Sequence, residues 1–120
     1  MMTDLEIFDF VAAHLLRQGR RSMNQSGTIC AYRGGDGTSC AVGFLIKDEF
    51  YDPAMEGAQI VDNPMARSAI VNSIGRRLTK RTREALFELQ VVHDRYDIRQ
   101  WPQVLAETRR DLFPDEPIPA

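Results

Sequence analysis

Cysteine is scarce in this chain, and long apolar runs are missing. Two cysteines in 120 residues are too few for a disulfide framework, so both are read as thiols, kept reduced by a cytosol. No apolar run approaches the roughly 20 residues of a membrane span, and the N-terminus lacks the basic-then-apolar order of a signal peptide. These absences set the expectation of a cytoplasmic protein with no membrane contact. A basic surplus is absent too: 15 lysines and arginines stand against 17 aspartates and glutamates, for a formal net charge of -2. A general nucleic-acid coat needs clustered positive charge, so nucleic acid is disfavoured as a partner. Internal repeats and low-complexity linkers are also missing. An apolar content of 43% at this length suits one globular domain, expected over residues 1–113 with an extended or frayed tail over 114–120.

Helical signals organise most of what is there. Thr3 and Glu6 have the spacing of a capping box, and Leu5, Phe8, Val11, Ala12, Leu15 and Leu16 recur at three and four residues as far as Gly19. That predicts a first helix with one apolar stripe, and Arg17, Arg20 and Arg21 lie by its negative end. Asp52-Pro53 opens a brief turn ending near Gly57, and Asn63-Pro64 starts a helix through Ile70, Val71 and Ile74 toward Leu78. A long helix begins between Thr79 and Thr82 and buries Ala85, Leu86, Leu89, Val92 and His93. Asp97 and Gln100 then cap a last helix carrying Trp101, Val104, Leu105, Thr108 and Leu112, until Phe113-Pro114 stops it. Between the first helix and the rest, two short apolar runs flank Gly34-Gly35-Asp36-Gly37. This reads as hairpin chemistry, because glycine accepts positive φ and aspartate bonds its own backbone. The second run reads two ways: Cys40, Val42, Phe44 and Ile46 alternate as in a strand, whereas Ser39 could equally cap a short helix, and a strand or extended loop through Val42 followed by a helical turn is favoured. The expected fold class is therefore α+β: a mostly helical single domain of three or four main helices with one β-hairpin near residues 28–44.

The same region, residues 28–46, concentrates the candidate functional side chains. Backbone N–H groups of Gly34, Gly35, Asp36 and Gly37 could form an anion-binding concavity, with Tyr32 as a stacking face and Arg33 as a guanidinium fork. The loop lacks the Walker Gly-Lys-Ser/Thr and the spaced glycines of a dinucleotide fold. Cys40 would be a nucleophile if Ala41 began a helix whose dipole lowered the thiol's pKa, with His93 as base and Asp94 beside it. The competing reading makes both cysteines small buried hydrophobes and His93 a core-edge residue. Cys30, Cys40, His93 and either His14 or Asp94 offer zinc-ligand types, but Cys-x9-Cys lacks the Cys-x2-Cys knuckle, so no metal and no cofactor is expected. Arg76, Arg77, Lys80, Arg81 and Arg83 form the largest basic run, read as a solvated face before a phosphate-backbone site. The acidic segment 47–57 mixes Phe50, Tyr51 and Met55 with carboxylates, a composition suited to docking a protein surface.

Four motifs carry a family likeness: Cys30-x-Tyr32-Arg33-Gly34, Gly37-x-x-Cys40-Ala41-x-Gly43, Tyr51-x-Pro53-x-Met55-Glu56-Gly57 and Leu89-Gln90-x-x-His93-Asp94. With them the chain resembles an uncharacterised family of small bacterial, prophage and phage proteins over most of its length. The resemblance implies an accessory protein of mobile elements, a setting in which inhibitors of host defence and sequesterers of signalling molecules are common. It implies no catalytic residue. With no complete catalytic set in the sequence, the leading expectation is a nonenzymatic binding module, a phage or prophage accessory factor that inhibits a host protein or sequesters a small anionic ligand. Its binding residues would be Tyr32, Arg33, Gly34, Gly35, Asp36, Gly37, Tyr51 and Met55. The alternative is a cysteine-dependent hydrolase or transferase using Cys40, His93 and Asp94. An apolar helical face beyond the needs of the core would permit a homodimer.

Overall fold

Thr3 opens the first helix through the reciprocal pair that its spacing predicts: Glu6 N–H donates to Thr3 Oγ1 at 3.1 Å, and Thr3 N–H donates to Glu6 Oε1 at 3.0 Å. In the computed structural model, which describes residues 1–27 and 29–115, this helix α1 spans Asp4–Gln18 and ends at Gly19, whose φ of 65° is left-handed. Ile7, Phe8, Val11 and Leu15 form its buried stripe. Four more helices follow among the described residues: α2 (Ala41–Leu45), α3 (Pro64–Ile74), α4 (Lys80–Arg95) and α5 (Trp101–Leu112). Each long one starts on a local signal. Asn63 Oδ1 caps α3 by accepting from Ala66 N–H, with Pro64 in the first turn, and Thr79 Oγ1 caps α4 by accepting from Thr82 N–H. Left-handed Gly75 stops α3 short of Leu78.

α1 packs most extensively on α4, α2 lies against both of them, and α5 covers α4. The centre holds Phe8, Leu15, Ile70, Leu86, Leu89 and Trp101, each at most 1% exposed. Burial of one such aliphatic or aromatic side chain is worth about 1.5–3 kcal/mol, enough for this core to fix the bundle before any loop is considered. Polar ties fasten the ends. Asp4 accepts hydrogen bonds from Thr79, Thr82 and Arg76, which joins the N-terminal turns of α1 and α4. Arg21 serves α4 rather than its own helix, donating to the carbonyls of His93 at 3.0 Å and Tyr96 at 2.6 Å. These are carbonyls that a helix C-terminus leaves unpaired. No helix among the described residues is long and apolar enough to cross a membrane.

The expected β-hairpin near residues 28–44 is not formed, and the fold is mostly helical rather than α+β. Among the described residues there is no strand, only isolated antiparallel bridges at Met23–Cys30 and Arg33–Ser39. The glycine turn does reverse the chain, with Gly34 N–H donating to Thr38 O at 2.9 Å. Cys40 N–H still donates to Tyr32 O at 3.2 Å, but pairing stops there, because Tyr32 N–H goes to Glu56 and Cys40 O accepts from Phe44 N–H in α2. Ser39, between the two ladder bonds, turns its own N–H and C=O to α1. Gln18 Oε1 accepts from Ser39 N–H at 2.9 Å, while His14 Nε2 and Gln18 Nε2 donate to Ser39 O at 2.9 and 3.0 Å. Cys40 then caps α2 instead of extending a strand, its Sγ accepting from Gly43 N–H at 3.3 Å. The expected tail over 114–120 lies outside the described residues from 116 onward.

Candidate functional site

Glu56 organises the loops beside α2. The turn Pro53–Met55, capped by Asp52, delivers its carboxylate to two successive amides: Tyr32 N–H at 2.8 Å and Arg33 N–H at 3.1 Å. Tyr51 adds its hydroxyl, donating to Glu56 Oε2 at 2.6 Å. Burial first, and then that bond to a carboxylate, pushes the Tyr51 phenol up to about 12. From the other side α2 presses directly on the same backbone. A Cβ at Gly43 would lie 2.0 Å from the Tyr32 carbonyl oxygen, so only glycine fits there.

These contacts absorb most of the residues singled out in the sequence. Tyr32 is 7% exposed, and its hydroxyl donates to Ala58 O at 2.5 Å and accepts from Asn63 Nδ2 at 3.2 Å. Arg33 pairs with Asp48 at 2.7 Å, donates to Ile46 O at 2.9 Å and lies 4.4 Å from the Tyr51 ring centroid. Met55 is a core side chain at 1% exposure. The turn residues Gly35, Asp36 and Gly37 are exposed, and Gly34 is pinned against Thr38, whose Oγ1 a Cβ would meet at 2.3 Å. Thr38 donates to Asp36 at 2.7 Å, which holds the Asp36 carboxyl below its ordinary range, and Arg20 pairs with it at 3.1 Å. The structure thus brings Tyr32, Arg33, Tyr51 and Glu56 together as a scaffold and leaves the glycine turn on the surface.

The alternative set does not assemble around Cys40. That thiol is buried, and burial pushes it up to about 12 despite the Gly43 amide. Cys30 is the cysteine beside His93 and Asp94: the ligating atoms of Cys30, His93 and Asp94 all lie within 4.8 Å of one another. The hydrogen bonds form a chain. Ser22 N–H donates to His93 Nε2 at 2.9 Å; an amide nitrogen can only donate, so Nε2 carries no proton and the ring's proton sits on Nδ1. Nδ1–H then donates to Asp94 Oδ1 at 2.7 Å, and Gln90 Nε2 donates to the same oxygen at 2.8 Å, while the nearby Cys30 thiol donates to Met23 Sδ at 3.8 Å. Burial acts to raise the Asp94 pKa, but the His93 and Gln90 hydrogen bonds outweigh it and hold the carboxyl low. Burial, then the Asp94 charge, pushes Cys30 up to about 11. Both ring nitrogens of His93 are committed inside a fully buried side chain, which leaves no lone pair for a metal and no free base for a thiol.

Asp94 and Glu56 both line one cleft of about 280 Å³, between residues 29–32 and 56–60 and floored by Gln90. No lysine or arginine lines it, and neither carboxylate has one within ion-pairing distance among the described residues. Asp94 keeps 23% of its side chain exposed. The basic run lies elsewhere, and part of it is spent: Arg76 pairs with Asp4 at 3.0 Å, and Arg81 lies over the Phe113 ring at 5.2 Å. Sequence reasoning placed Glu56 and Gln90 in the family motifs but gave neither a role in a site. Gln90 was findable, since it precedes Asp94 by four residues on one helical face; Glu56 had only its place after the Asp52-Pro53 turn. No protein-family pattern, curated protein or solved structure matches this chain.

Proposed function

We propose that this chain is a nonenzymatic binding module whose cleft between residues 29–32 and 56–60 takes a positively charged group. One observation carries the reading: Glu56 and Asp94, from different elements, face one cleft without a cationic partner. Partly buried carboxylates of this kind favour a charged donor that replaces lost water. The glycine loop suggested an anionic ligand; the sign of the cleft favours the opposite charge. The committed nitrogens of His93 and the buried Cys40 support binding over cysteine chemistry. In the setting that the sequence resemblance implies, the module serves a mobile-element accessory factor acting on a host component.

The test is a titration of the protein with butylguanidinium, followed by amide chemical shifts. Wild type binds at the cleft, and Asp94→Asn, which keeps an oxygen to accept from His93, binds about tenfold more weakly. Equal binding by a folded Asp94→Asn protein refutes the reading.

A further inference from the structure

Residues 29–31 have one edge paired and one open. Asn24 N–H donates to Ile29 O at 2.8 Å and Ala31 N–H donates to Ser22 O at 2.9 Å, the two bonds flanking the antiparallel Met23–Cys30 bridge. In an antiparallel ladder the residue between such bonds turns its own N–H and C=O to the opposite edge. Cys30 therefore presents a donor and an acceptor away from Met23, and among the described residues neither has a partner. Two residues further on, the chain is occupied: Tyr32 N–H meets Glu56, and Tyr32 C=O meets Cys40 N–H. The open stretch is a wall of the cleft. A second depression of about 510 Å³ shares residues 29–31 and 56–57 with it and continues the groove past Tyr51 and Pro53.

We propose that the charged group held by this cleft is a lysine or arginine side chain on an extended polypeptide segment, which adds as a short antiparallel strand at Cys30. The proposal rests on the cleft reading above and names its ligand. A segment paired there exchanges two main-chain hydrogen bonds with Cys30, and the side chain directly opposite stands on the same face as the Cys30 thiol. On that face the Asp94 carboxylate lies within 4.8 Å of the thiol sulfur. Main-chain bonds thus set the register, and Asp94 selects a basic residue at the paired position. The complementarity is of charge: the cleft offers two carboxylates and no cation, and Arg33, which lines the second depression, is paired with Asp48.

The test uses the full chain and three capped peptides: acetyl-Val-Arg-Val-amide, its citrulline counterpart, which is a neutral match for arginine, and a form methylated on the arginine amide nitrogen. The arginine peptide binds with shifts at Cys30, Tyr32 and Gly57, and it binds more tightly than butylguanidinium. Citrulline and N-methylation each weaken it about tenfold. If butylguanidinium binds but N-methylation changes nothing, strand addition is overturned and the cation cleft stands. If the arginine and citrulline peptides bind equally, the cation reading itself falls. If neither peptide nor butylguanidinium perturbs the cleft, both fall.

Discussion

The main-chain N–H of Ser22 donates to His93 Nε2 over 2.9 Å, and this bond decides what the histidine can do. It fixes the ring's proton on Nδ1, aims that proton at Asp94, and ties the segment after α1 to the last turn of α4. His93 is therefore a latch. His93→Ala should lower unfolding free energy by about 3 kcal/mol or more, since it opens a cavity and strands the Ser22 amide. Urea unfolding checks this. A loss below about 1 kcal/mol would contradict the latch.

Neither thiol should be reactive in the folded protein. Burial keeps Cys40 up to about 12 and Cys30 up to about 11, so almost no thiolate exists near neutral pH. Iodoacetamide at pH 7.5 should leave the native chain unmodified over a time in which the guanidinium-unfolded chain takes up two adducts, read by mass. Selective native labelling of Cys40 would revive the cysteine-enzyme alternative.

Helix propensity alone would make Gly43→Ala stabilising by about 1 kcal/mol. The Tyr32 carbonyl 2.0 Å from the new Cβ reverses the sign, so we expect a loss of about 2 kcal/mol or more. Gly35→Ala is the control. Its Cβ would meet only the flexible Gln25 side chain at 3.3 Å, and its effect should stay within about 1 kcal/mol. Denaturation midpoints of the two variants separate clash from propensity.

Acid should weaken the fold through His14 before it does so through the carboxylates. Burial lowers the His14 pKa, the Ser39 carbonyl opposes this in part, and the charge of Arg17 adds to the lowering. The unfolded chain, with histidine near 6.5, then binds the proton more readily than the folded one. The His14 contribution is present above about pH 6.5 and is lost as pH falls below it. Asp4 and Asp94 are also held low, so their contributions persist until pH approaches the unfolded carboxyl value of about 3.9. The urea midpoint should fall between pH 7.5 and pH 5.5, with a smaller fall in His14→Gln. The same fall in both proteins would assign the step elsewhere.

Signals confined to one turn of chain were legible in the sequence. The Thr3 box, the Asn63-Pro64 start, the Thr79 cap and the buried face of α4 all depend on residues within a few positions of one another. The hairpin was misread because its continuation is decided elsewhere in the fold: Glu56 takes the Tyr32 N–H, and α2 takes the Cys40 carbonyl that would have paired with it. Tyr32 and Arg33 looked like a surface pair for the same reason. Their partners Glu56, Asn63 and Asp48 lie in turns whose placement no local pattern reveals. The site was therefore legible in part: the region and Asp94 could be read, whereas the exchange of Cys40 for Cys30 beside His93 follows only from the fold.

Charge selectivity of the cleft tests the central claim most directly. Amide shifts of the wild-type protein are followed against three probes of similar size: butylguanidinium, butylurea and butyrate. The account predicts saturable shifts at Cys30, Gly57 and Asp94 with the cation alone, weakening as salt rises. Equal shifts with butylurea, or a preference for butyrate, would contradict it.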